Sequence, residues 1–323
     1  MITRRTAALG LVCASAAMAQ GTGDYPNKPV RIIVPLAPGG ASDFMARLLA
    51  DRLQTRFGQP VIVENRPGAG SLIGMDALAK SAADGYTLGM ANLPSLVLNP
   101  LIQPDKMPYD AATAFAPISN IGLTPNILVV NPAKVPARTL KDFVAYLKAN
   151  PDKLNYGSSG NGSALHVAME LFLANVGARM THIAYKGSSQ MMPDLLAGQI
   201  DAAMDAAVTT MPHVRAGKLI ALGVTSDQPA FFAPDVPPIS SVVAGPELNG
   251  WHGIAAPAGT PAAIMARLEA AVREIVADPV VQERLREQGM IPVGNSASEF
   301  AAFITEQRKA NGAVIAKAGI RAE

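Results

Sequence analysis

The chain has 323 residues, 49% hydrophobic and 16% charged, enough apolar mass for two domains sharing a cleft. Its 27 basic residues face 25 acidic ones, and without Arg4 and Arg5 the counts are equal, which excludes general binding to nucleic acid or anionic membranes. Aromatic residues, at 5%, leave few platforms for stacking bases.

Residues 1–19 read as an export signal that is removed: Arg4-Arg5 form a positive start, an apolar run covers 7–17, and Ala17-Met-Ala19 offers a cleavage site before Gln20. The paired arginines hint at twin-arginine export, although a general secretory signal also accounts for them. Cys13 lies inside the apolar run, behind a Val12 too bulky for a lipidation signal, so the mature chain is expected to be cysteine-free and without thiolate metal sites.

Strands are expected over 30–35, 61–64 and 87–91, separated by helices over 42–56 and 71–81. This alternation predicts a parallel α/β sheet. A second α/β unit opens near 126–130, with a helix capped by Thr139, a strand ending at 155–157, a helix over 164–176, and strands over 183–185, 202–205 and 220–225. The Pro- and Ser-rich stretch 231–246 reads as a surface connection. The tail is helical again, with starts at Thr260-Pro261, Asp278-Pro279 and the capping box Ser296-x-x-Glu299. These last helices need a sheet to cover, so the chain is expected to cross back through Trp251-His-Gly-Ile-Ala-Ala256. The expected division is therefore one lobe from 20–124 and 246–323 and a second from 125–245, hinged at 122–126 and 245–256.

Two loops stand out chemically. Pro38-Gly39-Gly40-Ala41 joins a strand to a helix, and Tyr156-Gly-Ser-Ser-Gly-Asn-Gly-Ser163 does the same far away in sequence. Helix starts leave backbone N–H groups unpaired, and glycines let a ligand approach the main chain, so each loop can cradle an anion. The loop Glu64-Asn-Arg-Pro-Gly-Ala-Gly70 misses the dinucleotide spacing by one residue and reads as a helix start near the cleft mouth.

These motifs, with Asp43 and Arg47, His166, Tyr185-Lys-Gly187 and Asp194-Leu-Leu-Ala-Gly198, resemble in order the signatures of the Bug family, periplasmic solute-binding receptors of tripartite tricarboxylate transporters. The resemblance implies a two-lobed periplasmic-binding-protein fold, type II-like, that holds a carboxylate-bearing ligand between its lobes, partly through backbone N–H groups and bridging waters, and hands it to membrane transporter subunits; it does not identify the ligand. The protein is expected to be periplasmic and monomeric, with no cofactor and no metal. Carried onto this chain, Pro38, Gly39, Gly40, Ala41 and Asp43 form the first-lobe loop; Asp43 either contacts ligand through water or serves exposed N–H groups of its own helix start. Ser158, Ser159 and Ser163 offer hydroxyls in the second lobe, Gly160 and Gly162 offer amides, and His166 follows in the helix. Tyr185, Lys186, Gly187, Asp205 and Ser95 complete the expected site, with Lys186 equally readable as a surface charge and Asp205 as a turn cap. The polar and flexible run Ser188-Ser-Gln-Met-Met-Pro193 departs from the family pattern, so the expected ligand is a di-, tri- or aromatic carboxylate, with aliphatic acids also in view.

Two other functions use the same residues. An exported serine hydrolase could draw on Ser158, Ser159, His166, His182 and Asp205, but no G-x-S-x-G surrounds either serine. The four histidines lack metal-ligand spacing. A ligand-binding partner of a two-component sensor would share fold and ligand.

Overall fold

The computed structural model describes residues 25–226, 228–243 and 249–318; the expected export signal and part of the second crossover lie outside the described residues. Strand β1 (Val30–Val34) leads through the glycine loop into helix α1 (Ala41–Phe57), followed by β2 (Val61–Asn65), α2 (Leu72–Ala79) and β3 (Thr87–Asn92). A helical turn and α3 (Asn99–Ile102) precede the long β4 (Phe115–Thr124). With Pro125 alone between them, β5 (Asn126–Val130) then starts a second sheet. It is built further by α4 (Leu140–Ala149), β6 (Asn155–Ser158), α5 (Ala164–Val176), β7 (Thr181–Ala184) and α6 (Ser188–Ala197). Strand β8 (Ala202–Ala206), α7 (Ala207–Arg215) and β9 (Ile220–Val224) complete it. Strand β10 (Gly250–Pro257) returns to the first sheet, and α8 (Ala262–Ala277), α9 (Pro279–Glu287), β11 (Ile291–Pro292) and α10 (Ala297–Ala318) follow.

The first sheet has the order β11-β4-β10-β3-β1-β2 and the second β7-β6-β8-β5-β9. Strands β1, β2 and β3 are parallel, as expected, but β10 runs antiparallel to β3 and β4, and β5 antiparallel to β8 and β9. Both sheets are therefore mixed, a correction to the parallel sheet read from the alternation. The reason is the crossover. A chain returning from the other lobe enters the first sheet beside the carboxyl end of β3, with His252 paired to Asn92, and can only run back along it. The stretch 251–256 is thus an inner strand as well as a connection.

The tail helices cover the first sheet on both faces. Leu268, Val272 and Val276 of α8 pack with Met45, Leu49 and Leu53 of α1, while Phe300 and Ile304 of α10 share a core with Leu72, Met75 and Leu78 of α2. Trp251 meets Phe300 and Phe303 edge-on at 5.4 and 5.8 Å between ring centres. Met191 and Met192 are core residues of the second lobe rather than exposed thioethers. Asp278 caps α9 through Val280 N, and Ser296 and Glu299 exchange the expected capping-box bonds. Thr260 does not cap α8: its hydroxyl donates back to Pro257 O, and Pro261 occupies the cap position.

Candidate functional site

The carboxyl ends of β1 and β3 in one sheet and of β6 and β8 in the other face a common cleft, the position open α/β sheets use for ligands. It holds an inner chamber of about 640 Å³ and a more open outer chamber of about 600 Å³, open water at their mouths included, whose walls share Leu36, Ser71 and Ser159.

The first-lobe wall of the inner chamber is made by the start of α1. Gly39 turns the chain at φ 87° and Gly40 is extended at φ −94° and ψ 178°, which brings Gly40, Ala41 and Ser42 to the chamber. Asp43 is buried behind them. Its carboxylate accepts from Gly39 N at 3.0 Å, Arg47 Nε at 2.9 Å and Asn65 Nδ2 at 2.9 Å. Burial alone would raise its pKa, but these bonds outweigh burial and hold it below the ordinary carboxylate value. Asp43 thus pins the loop from behind, and Pro38, Gly39 and Asp43 stand outside the residues lining either chamber.

The second-lobe wall is the start of α5. Ser163 caps the helix by accepting from His166 N at 3.2 Å, and Ser159, Ser163, Ala164 and Leu165 line the inner chamber. The glycine amides expected to face a ligand are already spent. Gly160 N donates to Ser158 Oγ at 3.1 Å and Gly162 N to His166 Nδ1 at 3.2 Å. Beneath the loop the rings of His166 and His182 stack at 4.1 Å, and His182 Nε2 lies 2.6 Å from Ser158 Oγ. Burial, reinforced by His166, pulls His182 down to about 4, so this layer supports the loop without adding charge. Ser158, Gly162 and His166 are consequently supports and not lining residues. The open donors are instead the first amides of α1 and α5, at Ala41, Ser42, Ala164 and Leu165, which have no intrahelical acceptor.

Asp205, at the end of β8, is fully buried and lines the inner chamber. Its Oδ1 accepts from Ser188 Oγ at 2.6 Å and Ala206 N at 2.8 Å, and its Oδ2 from Thr209 Oγ1 at 2.8 Å. Burial nevertheless pushes its pKa up to about 6. Gly187 joins it in the inner chamber, whereas Gly160, Tyr185 and Lys186 line the outer one. Tyr185 donates its hydroxyl to Asp194 at 2.7 Å, and Lys186 is exposed.

Ser95 does not reach the cleft. Its hydroxyl accepts from Asn92 N and donates to Asn92 O, and its amide donates to Asn92 Oδ1, a closed turn that aims Asn92. Asn92 lines the chamber and donates to Ser71, whose backbone is left-handed at φ 83° next to Gly70 at φ 58° and Ala69 at φ 47°. Such strained residues persist where surrounding contacts fix them, often at binding sites. Sequence reasoning also passed over Trp251 and His252 as lining residues. Trp251 Nε1, His252 Nδ1 and Ser42 Oγ are buried polar atoms without a hydrogen-bond partner, and all three residues line the inner chamber. Burial pulls His252 down to about 4, so its ring is neutral. The signal available in the sequence was position: Asn92 and His252 sit at strand ends facing the crossover.

Two α/β lobes closing on a cleft of strand ends and helix starts define the periplasmic-binding-protein class. The chain belongs to the tripartite tricarboxylate transporter receptor family, whose model matches residues 45–320. It is 35% identical over 327 residues to protein BugT of Bordetella pertussis, with 99% of each chain covered. Among solved structures, an R. palustris protein with adipate is similar at TM-score 0.89 and 32% identity, covering 92% of this chain and 99% of that one. MatC from Rhodopseudomonas palustris with bound malate is similar at TM-score 0.84 and 28% identity, covering 90% and 100%.

Proposed function

We propose that this receptor captures an organic carboxylate in the periplasm, with one carboxylate group held between the starts of α1 and α5, and presents it to the membrane subunits of its transporter. The observation that carries this reading is the pairing of open helix starts, Ala41-Ser42 in one lobe and Ala164-Leu165 in the other, on one chamber. Helix starts favour anions, and each charge-assisted hydrogen bond contributes about 1.5–3 kcal/mol. The relatives bound to adipate and malate support it.

The reading is of a binding protein without a chemical step. Ser158 has His182 as a partner, but it is buried under its own loop, and both Asp205 oxygens are held by Ser188, Ala206 and Thr209 rather than by a histidine. That arrangement is no Ser-His-Asp relay.

A thermal-shift screen over aliphatic, aromatic, di- and tricarboxylates tests the proposal, with mass spectrometry of ligand extracted from native protein alongside it. At about a hundred times its dissociation constant a ligand stabilises by about 2.7 kcal/mol, so at least one carboxylate raises the melting temperature. Stabilisation by amines or sugars alone overturns the reading, and labelling of Ser158 by a fluorophosphonate overturns its non-enzymatic part.

A further inference from the structure

Polar side chains lining the inner chamber fall into two sets. Asn92, Ser163, Ser188 and Asp205 have partners inside the protein: Asn92 bonds Ser71 and Ser95, Ser163 caps α5, and Ser188 donates to Asp205. Trp251, His252 and Ser42 differ, because their Nε1, Nδ1 and Oγ atoms are buried without a hydrogen-bond partner. A buried polar atom left unpaired costs more than a made bond returns, so folds seldom keep one without a use. Three around one chamber point to an occupant that pairs them.

The start of β10 presents two of these residues to opposite sides of its sheet. His252 is paired with Gly122 of β4, and opposed residues of an antiparallel pair share a face. Met45 of α1 covers that face, its Cε 3.3 Å from where a Cβ on Gly122 would stand, and Ser42 lies about one turn earlier on the same helix. His252 therefore stands on the α1 side of the strand, the side of the open amides of Ala41 and Ser42. Trp251, one residue before it, turns to the other face, where it meets Phe300 and Phe303 of α10.

We propose that His252 and Trp251 are ligand-contacting residues: His252 hydrogen-bonds an oxygen of the carboxylate held at the start of α1, and Trp251 donates its indole N–H to a ligand oxygen from the other face of β10. This rests on the carboxylate-receptor reading above. The indole can only donate, so its partner is an acceptor, while a neutral imidazole supplies one N–H and one lone pair. Burial keeps the His252 ring neutral. Among the described residues lining the chamber there is no lysine or arginine, so the oxygens of the ligand are met by uncharged donors.

The test is calorimetry with butyrate, succinate, malate, hexanoate, adipate and the tightest binder of the screen above, on the wild type and four variants. Circular dichroism and ligand-free melting are the folding controls. His252→Phe removes both ring nitrogens, His252→Asn keeps an amide near the place of Nδ1 and His252→Gln near that of Nε2. Trp251→Phe removes the indole N–H and keeps a ring against Phe300 and Phe303. For the acids that the wild type binds, His252→Phe loses at least about tenfold in affinity, and one of the two amide variants regains at least about threefold of it. Trp251→Phe loses at least about fivefold. A loss confined to succinate, malate and adipate puts the indole on a second oxygen-bearing group, and an equal loss for butyrate and hexanoate puts it on the shared carboxylate. A folded His252→Phe or Trp251→Phe protein with wild-type affinity overturns the assignment of that residue, its polar atom then being served by a buried water. Amide variants as weak as His252→Phe overturn it for His252, because shape and not hydrogen bonding then accounts for the loss. Should the variants not fold, nitrogen NMR of the labelled wild type decides: the His252 ring signals and the single indole signal shift on saturation with the tightest acid, and unmoved signals overturn the inference. If no acid binds here or in the broader screen, the receptor reading has failed and this inference with it. If acids bind and the variants match the wild type, only the inference falls.

Discussion

Gly162 of the second lobe lies against Asn99 of the first so closely that a methyl group on the glycine would overlap the Asn99 side-chain oxygen. Asn99 is itself fixed, donating Nδ2 to Gly70 O at 2.8 Å and accepting from Gln103 Nε2 at 2.8 Å. The same close approach recurs along the cleft. A Cβ on Gly187 would stand 3.0 Å from that of Ala37, and one on Gly70 would strike the Asn161 carbonyl. The lobes are therefore seen closed, and they close through glycines because backbone meets side chain without room for a Cβ.

Closure should accordingly be sensitive to Gly162→Ala. The methyl keeps Asn99 at a distance and is also strained at φ 71°. Solution scattering is expected to show ligand-induced contraction in the wild type and a larger radius of gyration in the ligand-saturated variant. Identical contraction in both would show that the contact does not limit closure.

Much of this was legible beforehand because local chemistry and tertiary structure agree. Helix α5 matches its expected span of 164–176 because Ser163 caps it and Gly177 ends it in a left-handed turn, both readable from residue type. The two helix-start loops were found for the same reason. Less legible was which atoms of those loops remain free. Gly160, Gly162 and Asp43 look like ligand groups in sequence, but folding spends them on Ser158, on His166 and on the Gly39-Arg47-Asn65 cluster. The inner-wall residues Trp251, His252 and Asn92 escaped because strand pairing across 160 residues brings them together, and no local period records that.

Asp43 offers a way to separate loop support from ligand contact. Asp43→Ala removes the acceptor for Gly39 N and the ion pair to Arg47, and bonds to a charged group are worth about 1.5–3 kcal/mol. Denaturant unfolding of the ligand-free variant should show a loss of that order or less, Arg47 being half exposed. Unchanged ligand-free stability with weakened binding would return Asp43 to the ligand.

Stability should also carry a defined pH signature. His182 and His252 are pulled from 6.5 to about 4, so the unfolded chain binds protons that the fold refuses. Their contribution is present above pH 6.5 and is lost as pH falls toward 4. Asp205 has the opposite sign: raised from 3.8 to about 6, it contributes below pH 3.8 and that contribution is lost as pH rises through 6. Urea midpoints from acid to neutral pH should therefore fall less steeply on acidification for His252→Gln than for the wild type, and more steeply for Asp205→Asn. Parallel curves would mean that neither group titrates abnormally.

Gly40 gives the sharpest contrast between fold and function. Its φ of −94° and ψ of 178° suit any residue, and a Cβ built there meets nothing within 4 Å, so the protein itself has room for a side chain. The room belongs to the chamber, where Gly40 lies beside the opening amides of α1. Gly40→Val should fold with stability within about 0.5 kcal/mol of wild type, yet its branched side chain stands where a carboxylate must approach Ala41 and Ser42. Ser159→Ala removes a single lining hydroxyl and should weaken binding by only about 1–3 kcal/mol. Calorimetry with a carboxylate found in the screen is expected to rank the variants in that order, Gly40→Val losing about 100-fold or more. A folded Gly40→Val protein with wild-type affinity would place the bound carboxylate away from the start of α1.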